Sequence, residues 1–404
     1  MTTPEIEIEP KAVPDPVSPE QKQEENKRRK LLLLLGLLLL MLCCVGYFFM
    51  RYLLKPQPLP EMLAPVSGPI NYPPTYKFSI TGLDGPVGVA VSPDGQRIYA
   101  TESKGERLIK MFDRDGNFIK SFAPPGTTSS NRKLAYVAVD ASGRVFVNDI
   151  YNNVIAVLDA EGNFLDGIID RDVSLSEIVA AQFEGVVPPG TIYYYSNIDK
   201  VVQYKLPDQD AKSLPGPDQS DWSPIGVRFD QKGNLLLTNI MSGKHSVLVY
   251  SAADISGSWL NFNPQIAEFG VEGKEAGQLA FPNNVVTDSK GNYYVSDGNN
   301  GRISFWTMDM QYKSFFAFGS TESALNLPRG MWMDNKDHLH VADAVGQFIH
   351  VYDVSGPEPT FIYNFGSYGT AEGEFNFPTD ICMDATGRVF IADRENNRIQ
   401  IWSY

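Results

Sequence analysis

Acid–base chemistry and metal binding both call for imidazoles, thiols or carboxylates at set spacings. This 404-residue chain has four histidines, His245, His338, His340 and His350, and three cysteines, Cys43, Cys44 and Cys382. A zinc site needs three or more such ligands converging, and these histidines fall in unrelated places. His340 occupies a column otherwise filled by Phe and Tyr, His338 lies in a turn column, His350 aligns with Gln400 and Ser304, and His245 sits in a hairpin loop. The acids Glu102, Asp149, Asp297, Asp343 and Asp393 recur at the ends of equivalent segments, where Asp commonly accepts hydrogen bonds from backbone N–H groups of a following turn. DRDGNF at 113–118 resembles half a calcium loop, but it lacks the twelfth ligand and DAEGNF at 159–164 repeats it, so it reads as a hairpin turn. No Ser-His-Asp set, phosphate loop or Cys-x-x-Cys pair stands in the sequence. Neither a catalytic residue, a metal ligand nor a cofactor is therefore assigned.

The elements that carry these residues repeat. A Pro, a short apolar strand, a Gly-containing turn, a strand ending in Asp or Asn, and a strand ending in an aromatic recur from Pro86, Leu134, Pro224, Pro282, Pro328 and Pro378, with a weaker copy from Thr191. Period-two alternation broken by Asp-Gly, Ser-Gly or Lys-Gly turns marks antiparallel hairpins. Four-stranded units with two apolar faces must stack side by side, and radial closure removes their edges. The expected fold is all-β: a β-propeller over 76–404 with seven four-stranded blades, or six if the copy at Thr191 fails. Large side chains at Phe112, Leu158, Tyr250, Trp306, Tyr352 and Trp402 should wedge between blades. The last copy lacks a fourth strand, and the orphan strand Tyr76 to Ile80 is expected to supply it.

Positions that differ between copies are free of the scaffold's demands. The two residues after each opening Pro, or its equivalent, lead into the innermost strand, and there Tyr136, Asn283, Asn284, Arg329 and Asp380 are polar or aromatic. They are the candidate ligand-binding residues at the mouth of the tunnel. The insertions 169–190, 207–223 and 251–281 carry Trp222 and Trp259 as further candidates for recognition.

Residues 1–30 are rich in Pro, Glu and Gln, as in a disordered tail, and end in Lys27, Arg28, Arg29 and Lys30. Leu31 to Met50 is uncharged and about 30 Å long as a helix, the thickness of a bilayer core. It is expected to be an uncleaved signal-anchor helix in the cytoplasmic (plasma) membrane, single-pass. The preceding cations keep the amino terminus in the cytoplasm, which puts the propeller outside. Seven prolines between Pro56 and Pro74 suggest a semi-rigid stalk over 51–75. A net charge of -14 and a pI near 4.8 repel phosphate backbones, so the expected partners are the lipid bilayer and a protein or peptide, with no nucleic acid.

FPTDICMDATGRVFIADRENNRIQIW at 377–402, FPNNVVTDSKGNYYVSDGNNGRISFW at 281–306, and the crossovers FGVEGKEAGQLAFP and FGSYGTAEGEFNFP resemble NHL-repeat β-propellers. That resemblance implies the propeller fold and several functions: interaction scaffolds, RNA-binding proteins, extracytoplasmic sensors and a few lyases, with metal-dependent lactonases among related propellers. The expected role is a membrane-anchored binding or scaffold module for a protein, peptide or envelope ligand. The alternatives are a metal-dependent lyase or lactonase-like enzyme with its site at the tunnel, and a sensor subunit of a membrane complex.

Overall fold

The computed structural model describes residues 19–54, 72–251 and 267–404. Two compact units divide at residues 63 and 64. The first contains a helix, Pro19–Leu54. It takes in residues 19–30, part of the segment read as a disordered tail, where Glu, Gln and Lys favour helix. Leu31 to Leu42 are exposed along it. Among the described residues no helix is long and apolar enough to cross a membrane. Most of the expected stalk lies outside the described residues, as does Trp259.

The second unit is a ring of antiparallel sheets. The innermost strands are Pro86–Val91, Leu134–Val139, Pro224–Phe229, Pro282–Thr287, Pro328–Met333 and Pro378–Met383, and they open blades 1 to 6 in chain order. Each packs on its sequence neighbour, and the first packs on the last, so the ring closes. Second and third strands are buried on both faces in most blades, because each sheet lies between two others. Six apolar cores fill the six gaps between adjacent blades. The expected wedges are in them: Phe112, Leu158, Tyr250, Trp306, Tyr352 and Trp402 are all buried.

Closure uses the strand expected for it. Thr75–Ile80 pairs antiparallel with Arg398–Ser403 in the register Tyr76↔Trp402 and Ile80↔Ile399, completing blade 6. The Trp402 ring meets Tyr76 edge-on at 5.9 Å and tilts over Phe365 at 5.0 Å, so one side chain ties the chain start, the chain end and blade 5 together.

The seventh copy is not a blade. Ile192–Ser196, Val201–Lys205 and Lys212–Pro215 form a three-stranded sheet outside the ring, so the blades number six among the described residues. The physical reason is legible in its burial. Tyr193, Tyr195, Val202 and Tyr204 are buried while their strand neighbours are not, so this sheet has one apolar face rather than two. It lays that face on the short helix Leu175–Ala180 and the outer strand of blade 2. Trp222, expected to be exposed, is fully buried in the core between blades 2 and 3 and donates its indole N–H to the Asn153 carbonyl at 2.7 Å.

Trp402→Ala removes a wedge shared by three elements. It is expected to destabilise the ring by about 3–5 kcal/mol through cavity formation, read as a fall in denaturant midpoint with unchanged slope. Deleting residues 75–80 should lower the melting temperature of the whole ring in one cooperative transition. An unchanged midpoint in either variant would contradict the closure.

Candidate functional site at the propeller axis

Six inner strands converge on one axis, and their third residues show how the crowding is resolved. In ring order they read Gly88, Tyr136, Gly226, Asn284, Gly330 and Asp380: small and large alternate. A Cβ on Gly330 would lie 2.6 Å from the Asp380 Cα, and one on Gly88 2.9 Å from the Tyr136 Cα. Each glycine thus makes room for the larger residue on the next blade.

The axis is crossed twice. Arg228 extends from blade 3 to the opposite blade 6, where its guanidinium pairs with the Asp380 carboxylate. It also donates to the carbonyls of Val137 at 3.2 Å, Met331 at 3.4 Å and Ile381 at 3.4 Å, one from each of three other inner strands. The second Asp380 oxygen accepts from the Val89 N–H at 3.0 Å. Burial pushes the Asp380 carboxyl up, to about 6, against the opposing pull of Arg228 and of that N–H. The Tyr136 hydroxyl of blade 2 faces the Arg329 guanidinium of the opposite blade 5, and burial raises its pKa to about 12 despite that cation. Arg329 donates to Asn283 Oδ1 at 2.8 Å, and Asn283 in turn donates to the Pro328 carbonyl at 3.1 Å.

The residues expected at the tunnel mouth are thus gathered around the axis, but inside the wall. Asn283, Asn284 and Asp380 have no exposure, and Tyr136 has 2%. Arg329 is only partly buried. Arg228, which the sequence reading did not single out, closes the channel. Its signal was in the fifth-residue column, Ala90, Ala138, Arg228, Val286, Trp332 and Cys382, where it alone is charged.

On the other side of Arg228, the turns that follow the inner strands surround an open cavity of ≈ 480 Å³. Trp332, Met333 and Met383 give it apolar surface, and Gln231, Asp334, Asn335 and Asp384 give it polar surface. Asp384 is held by Arg388 Nε at 2.8 Å. Behind Asp334, His338 Nδ1 lies at 3.1 Å and His340 Nε2 at 3.7 Å, while His340 Nδ1 is 3.5 Å from the hydroxyl of Tyr404, itself 2.9 Å from that of Tyr363. Two histidines expected to be unrelated therefore converge on one carboxylate. Burial opposes its charge, but the hydrogen bond with His338 and the nearby His340 imidazole win and hold Asp334 well below the usual carboxylate range. Hydrogen bonding to Asp334 raises His338, whereas burial lowers His340. His245 Nδ1 accepts the Phe281 N–H at 3.2 Å, and His350 lies 4.0 Å from Asp343.

The recurrent acids brace backbone, and mainly the loop entering their own blade rather than the turn that follows. Glu102 accepts from Asp84 N at 2.8 Å, Asp149 from Lys133 N at 2.9 Å, Asp297 from Ala280 N at 2.6 Å, Asp343 from Leu327 N at 2.9 Å and Asp393 from Asn376 N at 2.7 Å. In the turn at 113–118, Asp113 Oδ1 accepts from Asp115 N and Asn117 N. Among the described residues no group of three or more His, Cys, Asp or Glu is placed to hold a metal ion.

A closed ring of four-stranded sheets around an axis is a β-propeller. Residues 375–402, which span most of blade 6, match the NHL repeat family model. No curated protein matches the sequence. A streptogramin B lyase superposes with a TM-score of 0.50 at 15% identity, covering 81% of this chain and 96% of that one. Virginiamycin B lyase from Staphylococcus aureus gives 0.50 at 15%, over 81% and 98%. A protein of unknown function from Bacteroides thetaiotaomicron gives 0.50 at 14%, over 82% and 73%. Likeness at this identity speaks for the fold alone.

Breaking a buried pair leaves one ion stranded. Arg228→Met or Asp380→Asn alone is expected to cost about 3–5 kcal/mol, and the double variant less than the sum, by denaturant titration in a double-mutant cycle. The pH dependence has a definite sign. Because Asp380 titrates near 6 in the folded chain, against an ordinary value of 3.8, the folded chain binds the extra proton between those values. Its contribution to stability is therefore full below pH 3.8 and is lost as pH rises through about 6. The double variant should flatten that part of the curve, and an unchanged profile would exclude Asp380 as its source.

Proposed function

We propose that this protein is a membrane-anchored, extracytoplasmic binding module whose recognition surface is the cavity bounded by Trp332, Met333, Met383, Asp334 and Asp384. The observation that carries the reading is the cavity itself: at ≈ 480 Å³ it falls within the range of about 300–1,000 Å³ usual for ligand sites, and it is floored by partly exposed Trp and Met on a rigid ring. Apolar floor and acidic rim together suit a protein or peptide segment that places an apolar side chain next to a Lys or Arg. The chain's net charge of -14 adds long-range attraction for such a segment.

A lyase or lactonase-like activity is the second reading, favoured by the convergence of His338 and His340 on Asp334 at the cavity. It is the weaker one, because a carboxylate held well below its usual range is a poor general base. Support for the anchor is the exposed leucine-rich segment from Leu31 to Leu42, with the cations Lys27 to Lys30 before it. A sensor subunit would use the same cavity and the same anchor.

Photo-reactive residues placed at Asn335 and, as a control on a distant loop, at Glu372 test the surface in native membranes. Discrete protein adducts are expected from position 335 and not from 372; adducts from neither or from both would remove the reading. For the anchor, the full chain should stay in the pellet after alkaline carbonate extraction, and deletion of 31–50 should release it. Extraction of the intact chain into the supernatant would refute the anchor.

A further inference from the structure

Above the Arg228–Asp380 crossing, the channel contains polar atoms that the protein leaves without partners. The Tyr136 hydroxyl, both Asn284 amide atoms and Arg329 Nε are buried and make no hydrogen bond. An unpaired buried donor or acceptor costs about 1–3 kcal/mol, so four such atoms in one place call for a common explanation. Ring order supplies the geometry. Arg228 faces Asp380 and Tyr136 faces Arg329, but Asn284 on blade 4 faces blade 1, whose residue at that level is Gly88. The third diameter of the ring therefore has a side chain at one end only.

We propose that this upper part of the channel binds a small monocarboxylate, held by the Tyr136 hydroxyl, the Asn284 amide and Arg329 Nε–H. The sign of the charge follows from the neighbours. Arg228 is matched by Asp380, whereas the groups set against Arg329 are the neutral Asn283 amide, the Tyr136 hydroxyl and the Phe377 ring at 5.9 Å. Among the described residues no carboxylate lies within ion-pair distance of Arg329, so its positive charge is in excess there. An anion satisfies that excess and takes the three donors, Tyr136 O–H, Asn284 Nδ2–H and Arg329 Nε–H. The guest is a free small molecule and not a peptide end, because Asn284 has no exposure and Tyr136 has 2%.

Formate is the probe, added to the full chain in detergent against sodium chloride at equal ionic strength. A saturable rise in melting temperature beyond that given by chloride is expected, with matching heat in isothermal titration. Asn284→Asp keeps the side chain's shape but places a negative charge in the site, and it should abolish the response. Tyr136→Phe, which removes one donor, should weaken half-saturation at least tenfold and stands in should Asn284→Asp fail to fold. A short acetylated peptide with a free carboxy terminus should give no response. No saturable effect in the wild type, the same effect in a folded variant, or an equal effect from the peptide would each overturn the proposal.

Discussion

A sheet with two apolar faces can be buried only between two other sheets, so a row of such sheets is stable only if its last member meets its first. That constraint governs the chain from Thr75 to Tyr404. Each of the six gaps is filled by large side chains from second and third strands, and none of the blades has a polar face to offer water. The strand Thr75–Ile80 is the local answer: it lends the final blade an outer strand from the start of the ring segment, and thereby makes the two ends of the ring neighbours.

Closing the ring creates a second problem at its centre. Six strands brought to one axis cannot each keep a full side chain there, and the alternation of glycine with Tyr136, Asn284 and Asp380 meets the limit on volume. Charge is dealt with separately. Arg228 gains a carboxylate and three carbonyls from distant blades, an arrangement that only a closed ring assembles. The channel is consequently divided. On one side lie the buried side chains of Tyr136 and Asn284, and on the other is an open cavity lined by Trp332 and two methionines. The proposed docking cavity and the proposed anion site thus lie on opposite sides of one ion pair.

The repeat and its closure were legible because burial on both faces leaves a mark that survives divergence. Consecutive apolar pairs such as Ile98 with Tyr99 and Val389 with Phe390 identify a blade without any reference to its turns. The same criterion could not reject the copy at Thr191, since IYYYS and VVQYK also carry consecutive apolar residues, and it is the structure that shows them burying alternate residues only. What the sequence did not disclose is convergence across the ring. Arg228 and Asp380 are separated by 152 residues, and His340 meets Tyr404 over a separation of 64, because the partners sit on different blades. Column alignment compares equivalent positions, whereas the axis joins non-equivalent ones, so the burial and the pairings of these residues were not visible in it.

Whether the first strand holds the ring shut is tested most directly by amide hydrogen exchange with mass-spectrometric readout under native conditions. Peptides covering 75–80 and 398–403 are predicted to exchange together, at the slow rate of global opening. Early exchange of 75–80 while 398–403 stays protected would contradict it, showing a ring that is stable without its clasp.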